Sequence, residues 1–255
     1  MISRRCVPAL VAIGFALLPV PSARAAETLI AVAANFAEVI EELKPAFEKI
    51  SGHKLQSTTG STGKLYAQIK EGAPFQILLS ADANTPERME KEQLAVAGSR
   101  FTYAIGKLTL WSSDQGRIGA DGAAALKAND VRHIAIANPD LAPYGVAARE
   151  TLQSLGLWDS LKPKIVMGQN IGQTHSMVAT GNAQLGFIAL SAVLSPRESP
   201  KGSRWDVPQN LFTPIRQDAV LLSAGARNEA AIAFMKFLKT PEARAVIERY
   251  GYGIE

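Results

Sequence analysis

The sequence predicts an α/β fold, because short apolar runs of strand length alternate with segments whose apolar residues recur at helical spacing. A second observation concerns the connections. Four of them place small neutral hydrogen-bond donors where a helix is due to begin: Ala34-Asn35, Gly60-Ser61-Thr62-Gly63, Pro143-Tyr144-Gly145 and Asn170-Ile171-Gly172. A helix N-terminus carries unpaired backbone N–H groups and a partial positive charge, so several aimed at one point form an anion site without Lys or Arg. Such a site suits a protein that holds an oxyanion and releases it unchanged.

Taken in order, residues 28–33 read as a short apolar strand. Residues 36–50 follow as a helix with the stripe Phe36, Val39, Ile40, Leu43 and Phe47, which Pro45 interrupts. Residues 54–58 read as a strand, 64–70 as a helix ended by Gly72 and Pro74, and 75–79 as a third strand. Pro86 opens a helix over 85–92. In the second half, 107–111, 133–137 and 185–190 read as strands, and 145–155 and 174–180 as helices. Residues 195–209, rich in Pro, Ser, Gly and charge, read as a surface loop with room for a short hairpin. A strand over 219–222 and two helices, 229–239 and 241–250, end the chain. Strands separated by helices imply mainly parallel sheets covered on both faces, which bind ligands at the carboxyl ends of their strands.

Residues 1–25 have the form of a secretion signal. Arg4 and Arg5 are the basic start, residues 6–20 are mostly apolar, and Ala23-Arg24-Ala25 fits small-x-small cleavage before Ala26. The apolar run is short for a membrane span of ~20 residues, and Pro8 and Pro19 interrupt it. The 27 basic residues include Arg4, Arg5 and Arg24, so cleavage leaves 24 against 23 acidic ones. Nothing in that balance points to nucleic acid. The single cysteine, Cys6, leaves with the signal, and the remaining 230 residues can bury a large core.

The catalytic templates are thin. Gly60-Ser-Thr-Gly-Lys64 looks like a phosphate-binding loop, yet Thr58 stands where the first Gly belongs and Leu65 where Ser or Thr is needed. His53, His133 and His175 have no metal-ligand spacing. A secreted hydrolase with Ser61 or Ser176 as nucleophile and His175 as base remains the alternative from another class. Glu38, Glu41 and Glu42 read as a solvated helix face, and Asp82 reads as a cap on the loop that follows it.

With these features in place, the chain resembles the periplasmic molybdate-binding proteins of ABC importers over essentially all of residues 26–255. The resemblance rests on Val32-Ala-Ala-Asn35-Phe36, Gly60-Ser-Thr-Gly-Lys-Leu-Tyr-Ala-Gln-Ile69, Gly72-Ala-Pro-Phe75 and Leu79-Ser-Ala-Asp82. Asn138-Pro139 with Pro143-Tyr-Gly145, Leu185-Gly-Phe187 and Arg249-Tyr-Gly-Tyr252 complete it. It implies a two-lobed type II periplasmic-binding-protein fold, each lobe a mainly parallel sheet flanked by helices. Lobe one would take residues 26–104 and 217–255, and lobe two 105–216, with hinge crossings near 103–106 and 214–218.

The implied ligand is molybdate, with tungstate alongside it, held between the lobes and passed to a membrane permease. No cofactor is implied, no metal other than the centre of the oxyanion, and a monomer is expected in the periplasm. Position by position, Asn35 stands where many relatives have a hydroxyl residue, and Thr62 where many have Ser, with Ser61 able to share that role. Tyr144 falls where some have a small residue giving only its N–H, and Ile171 where others have Val. Ala34 joins the set beside Asn35. Some relatives have Tyr at the position of Ala189, so Tyr144 is expected to supply the missing hydroxyl. The chemistry is consistent with this: a fully deprotonated dianion wants donors alone, and a nearby carboxylate would repel it. The same fold holding sulfate, phosphate or an organic carboxylate is the closer alternative.

Overall fold

The computed structural model describes residues 25–196 and 202–255. The expected signal peptide therefore lies outside the described residues except for Ala25, as does part of the expected loop over 195–209. In chain order the first elements are β1 (Glu27–Ala33), α1 (Ala37–Ser51), β2 (Lys54–Gly60), α2 (Thr62–Lys70), β3 (Ile77–Leu79), α3 (Asn84–Lys91) and β4 (Phe101–Gly106). Then come β5 (Leu108–Ser112), α4 (Gly122–Leu126), β6 (Ile134–Ala137), α5 (Pro143–Ser154), α6 (Trp158–Leu161) and β7 (Ile165–Gly168). The rest are α7 (Ile171–Ala179), β8 (Leu185–Ala189), α8 (Leu190–Leu194), β9 (Ser203–Asp206), β10 (Ile215–Leu221), α9 (Glu229–Phe237) and α10 (Pro241–Arg249).

These elements build two five-stranded sheets flanked by helices, one in each lobe, with strand orders β2-β1-β3-β10-β4 and β7-β6-β8-β5-β9. The expected fold class holds, but both sheets are mixed where mainly parallel ones were expected. In the first, β1 runs parallel to β2 and β3, while β10 is antiparallel to β3 and β4. In the second, β6 is parallel to β7 and β8, while β5 is antiparallel to β8 and β9. The reason lies in the crossings. β4 leaves the first sheet and β5 begins one residue after it ends, and β10 then brings the chain back. An outgoing and a returning strand side by side are antiparallel, and Gly106 pairs with Ile215 where they meet. The segments anticipated as two crossings are thus paired strands.

Each lobe has its own core. The α1 stripe Phe36, Val39, Ile40, Leu43 and Phe47 is buried against β1, β3, α9 and α10, each such side chain contributing about 1.5–3 kcal/mol by leaving water. Pro45 lies on the exposed face, and the helix runs through it. The second core gathers Leu108, Leu110, Ile134, Ile136, Leu152 and Phe187 between β5, β6, β8 and α5. Residues 203–206, expected in a loop, form an edge strand on β5, with Trp205 opposite Leu110. The short elements β7, α4 and α6 were not anticipated. Among the described residues no helix is long and apolar enough to cross a membrane.

Candidate anion-binding site

The four donor-bearing connections meet between the lobes. Ala34, Asn35, Ser61, Thr62, Tyr144 and Ile171 all line one small cavity, together with Ala81, Ala142, Pro143 and Asn170. Each arrives there by the same local logic, a helix starting where an extended segment stops. β1 ends at Ala33, and a single 3₁₀ turn over Ala34–Phe36 leads into α1. β2 ends at Gly60 and α2 starts at Thr62. Pro143 opens α5 as its first residue, where a missing N–H costs nothing, so Tyr144 supplies the next N–H. The side chain of Asn170 caps α7 by accepting from the Gln173 N–H, which leaves the Ile171 N–H without an intrahelical partner.

Gly145 shows how tightly the third loop is built. A Cβ there would lie 2.1 Å from the Ala137 carbonyl oxygen at the end of β6, so only glycine lets α5 start so close to the strand. The lobes also touch beside the cavity: the Gly63 N–H of α2 donates to the Leu141 carbonyl of the second lobe at 2.9 Å. The structure therefore has its lobes closed around the cavity.

Ser61 is the most informative side chain. It occupies the N-cap position of α2 in an extended conformation, yet its hydroxyl caps nothing. The residue is 4 % exposed, and its Oγ is buried with no hydrogen-bond partner. Thr62 is the first residue of α2. Its Oγ1 accepts from the Ala81 N–H at 3.0 Å, which leaves the hydroxyl proton free to donate. Lys64 is exposed, which completes the failure of the phosphate-loop comparison.

Asn35 plays a different part from that of a simple donor. Its Nδ2 donates to Gln217 Oε1 at 2.7 Å and to the Tyr252 hydroxyl at 3.0 Å, so both amide hydrogens are engaged within the protein. What it can offer the cavity is its backbone N–H. The Tyr144 hydroxyl accepts from Gln217 Nε2 at 3.3 Å and also interacts with the Tyr252 hydroxyl. Burial pushes the phenols of Tyr103, Tyr144 and Tyr252 well above their usual range, so all three stay protonated donors. Gln217, Tyr103, Tyr252 and Ser191, which hold these groups from behind, were missed in the sequence. The one available signal was the Tyr252 that ends the Arg249-Tyr-Gly-Tyr252 motif.

The carboxylates stay out of the cavity. Asp140 and Asp82 line a larger neighbouring groove, and Glu38 lines a groove on the other side. Asp82 behaves as the cap expected of it, accepting from the Thr85 N–H at 2.7 Å and from the Thr85 hydroxyl at 3.1 Å. Burial raises its pKa, against the lowering by those hydrogen bonds. The elements of a hydrolase are dispersed: the Ser176 hydroxyl donates to the Gly172 carbonyl of its own helix, and the His175 ring packs on Trp111 with centroids 5.0 Å apart. Among the described residues no three His, Cys, Asp or Glu side chains group as metal ligands. The cavity thus offers convergent N–H groups, three hydroxyls and no acceptor carboxylate, the donor set of a small, fully ionised oxyanion.

Comparison with known proteins agrees with this geometry. The family of bacterial extracellular solute-binding proteins matches residues 28–253. The molybdate-binding protein ModA of Azotobacter vinelandii is 51% identical over 245 residues, covering 96% of each chain. ModA of Rhodobacter capsulatus is 49% identical over 238 residues, covering 93% of this chain and 92% of its own. The solved periplasmic molybdate-binding protein of Azotobacter vinelandii superposes with a TM-score of 0.86 at 42% identity, covering 89% of this chain and 99% of its own. These relatives are binding proteins, so the hydrolase alternative falls. The chain belongs to the bacterial extracellular solute-binding proteins, in the ModA family, and is not an enzyme.

Proposed function

We propose that this protein captures molybdate, and tungstate with it, between its two lobes in the periplasm and delivers it to the permease of an ABC importer. Residues 1–25 act as a cleavable signal. Residues 26–104 and 217–255 form one lobe and 105–216 the other, and the protein works as a monomer. The backbone N–H groups of Ala34, Asn35, Thr62, Tyr144 and Ile171 and the hydroxyls of Ser61, Thr62 and Tyr144 hold the anion.

The observation that carries this reading is the buried, unpartnered Ser61 hydroxyl beside converging helix N-termini in a cavity without carboxylates. A buried donor left unsatisfied costs about 1–3 kcal/mol, and an oxyanion in the cavity removes that cost. Donors suit a dianion, whereas a ligand retaining a proton is best held by a carboxylate acceptor, and no carboxylate lines the cavity. Charge-assisted bonds in a closed, dry site need no Lys or Arg.

Calorimetric titration of the purified protein with molybdate, tungstate, sulfate and phosphate tests this. The expected result is tight one-to-one binding of molybdate and tungstate with far weaker sulfate and phosphate. A folded protein that takes up sulfate or phosphate more tightly than molybdate overturns it.

A further inference from the structure

The anion cavity is backed by a buried polar hub that belongs to neither lobe alone. Its centre is Gln217, fully buried on β10, the strand that returns from the second lobe to the first. The side chain spans the cleft. Gln217 Oε1 accepts from Asn35 Nδ2 at 2.7 Å and from the Tyr103 hydroxyl at 3.2 Å, both in the first lobe. Gln217 Nε2 donates to the Tyr144 hydroxyl at 3.3 Å, in the second. Tyr252, from the C-terminal segment, donates to the Asn35 carbonyl at 2.7 Å and lies 3.0 Å from Ser191 Oγ of the second lobe.

Three further features single out Gln217. The register of β10 against β4 shifts between Gln217 and Asp218, where Tyr103 of β4 is the extra residue of a bulge, so that Tyr103 and Gln217 come together there. A Cβ on Gly106, the last residue of the partner crossing strand, would lie 2.2 Å from the Tyr144 oxygen and 2.6 Å from Gln217 Nε2. The two groups can meet only because that position has no side chain. Finally, a fully buried polar amide costs stability unless it is bonded, and this one is bonded to both sides of the site.

We propose that Gln217 is a positioning residue that sets the two halves of the anion site in register. One amide orients Asn35, and with it the first donor turn, and also holds the Tyr144 hydroxyl in place at the anion cavity. When the lobes open, the Gln217–Tyr144 bond breaks along with the other bonds across the cleft, such as that from the Gly63 N–H to the Leu141 carbonyl. Closure and donor alignment are therefore a single event. This role rests on the oxyanion-binding reading above.

The test uses Gln217→Met, which keeps the volume and removes both functions, and Gln217→Glu, which keeps the acceptor for Asn35 and Tyr103 but removes the donor to Tyr144. With a carboxylate at 217, the Tyr144 hydroxyl donates to it and is lost to the anion. Molybdate affinity is measured by calorimetry, and ligand-induced closure by the change in radius of gyration in solution scattering. Both variants should bind molybdate at least about tenfold more weakly, the ratio set by losing a well-formed hydrogen bond, with a smaller compaction on binding. Tyr144→Phe should add less than about twofold to Gln217→Met, because the two act through one bond.

Arg100→Met is the control. It breaks the ion pair with buried Asp218, the next residue on the same strand, at 2.6 Å. It should lower the melting temperature and leave affinity unchanged. If either Gln217 variant folds and binds like wild type, or if Arg100→Met weakens binding as much, the positioning role is wrong. No molybdate binding by the wild-type protein would instead overturn the functional reading itself, so the two failures are distinct.

Discussion

Replacing Ser61 with Ala separates a ligand-binding hydroxyl from a structural one, because the two roles predict opposite patterns. Were Ser61 an ordinary helix cap, its loss would cost about 1 kcal/mol, and about 2–4 °C in melting temperature for a chain of this size. The structure argues otherwise: the hydroxyl makes no bond to the first turn of α2 and has no other partner. Ligand-free Ser61→Ala should therefore melt at or above wild type, because it removes a buried unsatisfied hydroxyl that costs about 1–3 kcal/mol. In the complex it removes one hydrogen bond to a charged oxygen, worth about 1.5–3 kcal/mol, which corresponds to about 10- to 150-fold in Kd. Differential scanning calorimetry of the ligand-free protein and isothermal titration with molybdate give both numbers on one preparation. A melting temperature several degrees lower with unchanged Kd would refute the reasoning and return Ser61 to a structural role.

Other substitutions should behave differently for reasons equally local. Thr62→Val removes a donor to the anion and also orphans the Ala81 N–H, so affinity and ligand-free stability should fall together, the latter by about 1–3 kcal/mol; calorimetry showing a loss in affinity alone would contradict this. Gly145→Ala pushes a methyl into the Ala137 carbonyl, so α5 must shift and carry the Tyr144 N–H with it; weaker molybdate binding and a lower melting temperature are expected, and wild-type values for both would count against the packing argument. The raised pKa of Asp82 means that the folded state holds its proton more tightly than the unfolded chain, so its contribution to stability declines as pH rises from about 3.9, the ordinary carboxylate value, through the raised one. Asp82→Asn should therefore melt higher than wild type at neutral pH and converge with it in acid. A neutral-pH melting temperature below that of wild type would reverse the sign.

The parts of the fold legible in the sequence are those where local pattern and tertiary demand coincide. The stripe from Phe36 to Phe47 is apolar at helical spacing because one face of α1 packs on a sheet, and all five residues are buried as the spacing required. The runs around Ile30, Ile77, Ile134 and Phe187 are apolar throughout because both faces of their strands are covered. β9 was illegible for the opposite reason. Ser203-Arg-Trp-Asp206 is an edge strand with polar residues facing water, next to a segment of Pro and charge, and only its pairing with β5 makes it a strand. Strand direction was equally hidden, since β10 is antiparallel on account of a crossing more than a hundred residues away from β4.

The donor loops were legible because Gly, Ser, Thr, Asn and Pro before a helix have few other uses. What those residues do with their side chains was not. Asn35 reads as a donor in sequence, yet its amide is turned toward Gln217 and Tyr252, residues 182 and 217 positions away. Ser61 and Thr62 read in sequence as able to share one role; burial leaves one hydroxyl unpartnered and ties the other to Ala81. Such assignments depend on which long-range partners arrive, and no local pattern records them.

The central claim is that converging helix N-termini, with the Ser61 hydroxyl, hold the oxyanion. A crystal of the molybdate complex, with anomalous scattering collected at the molybdenum edge, tests it most directly. The account predicts one strong peak in the cavity between Ser61, Thr62, Tyr144 and Ile171, with its oxygens within hydrogen-bond distance of Ser61 Oγ and of the N–H groups of Thr62, Tyr144 and Ile171. A peak in the groove lined by Asp82, Asp140 and Glu150, or one in the cavity with Ser61 turned away, would contradict it.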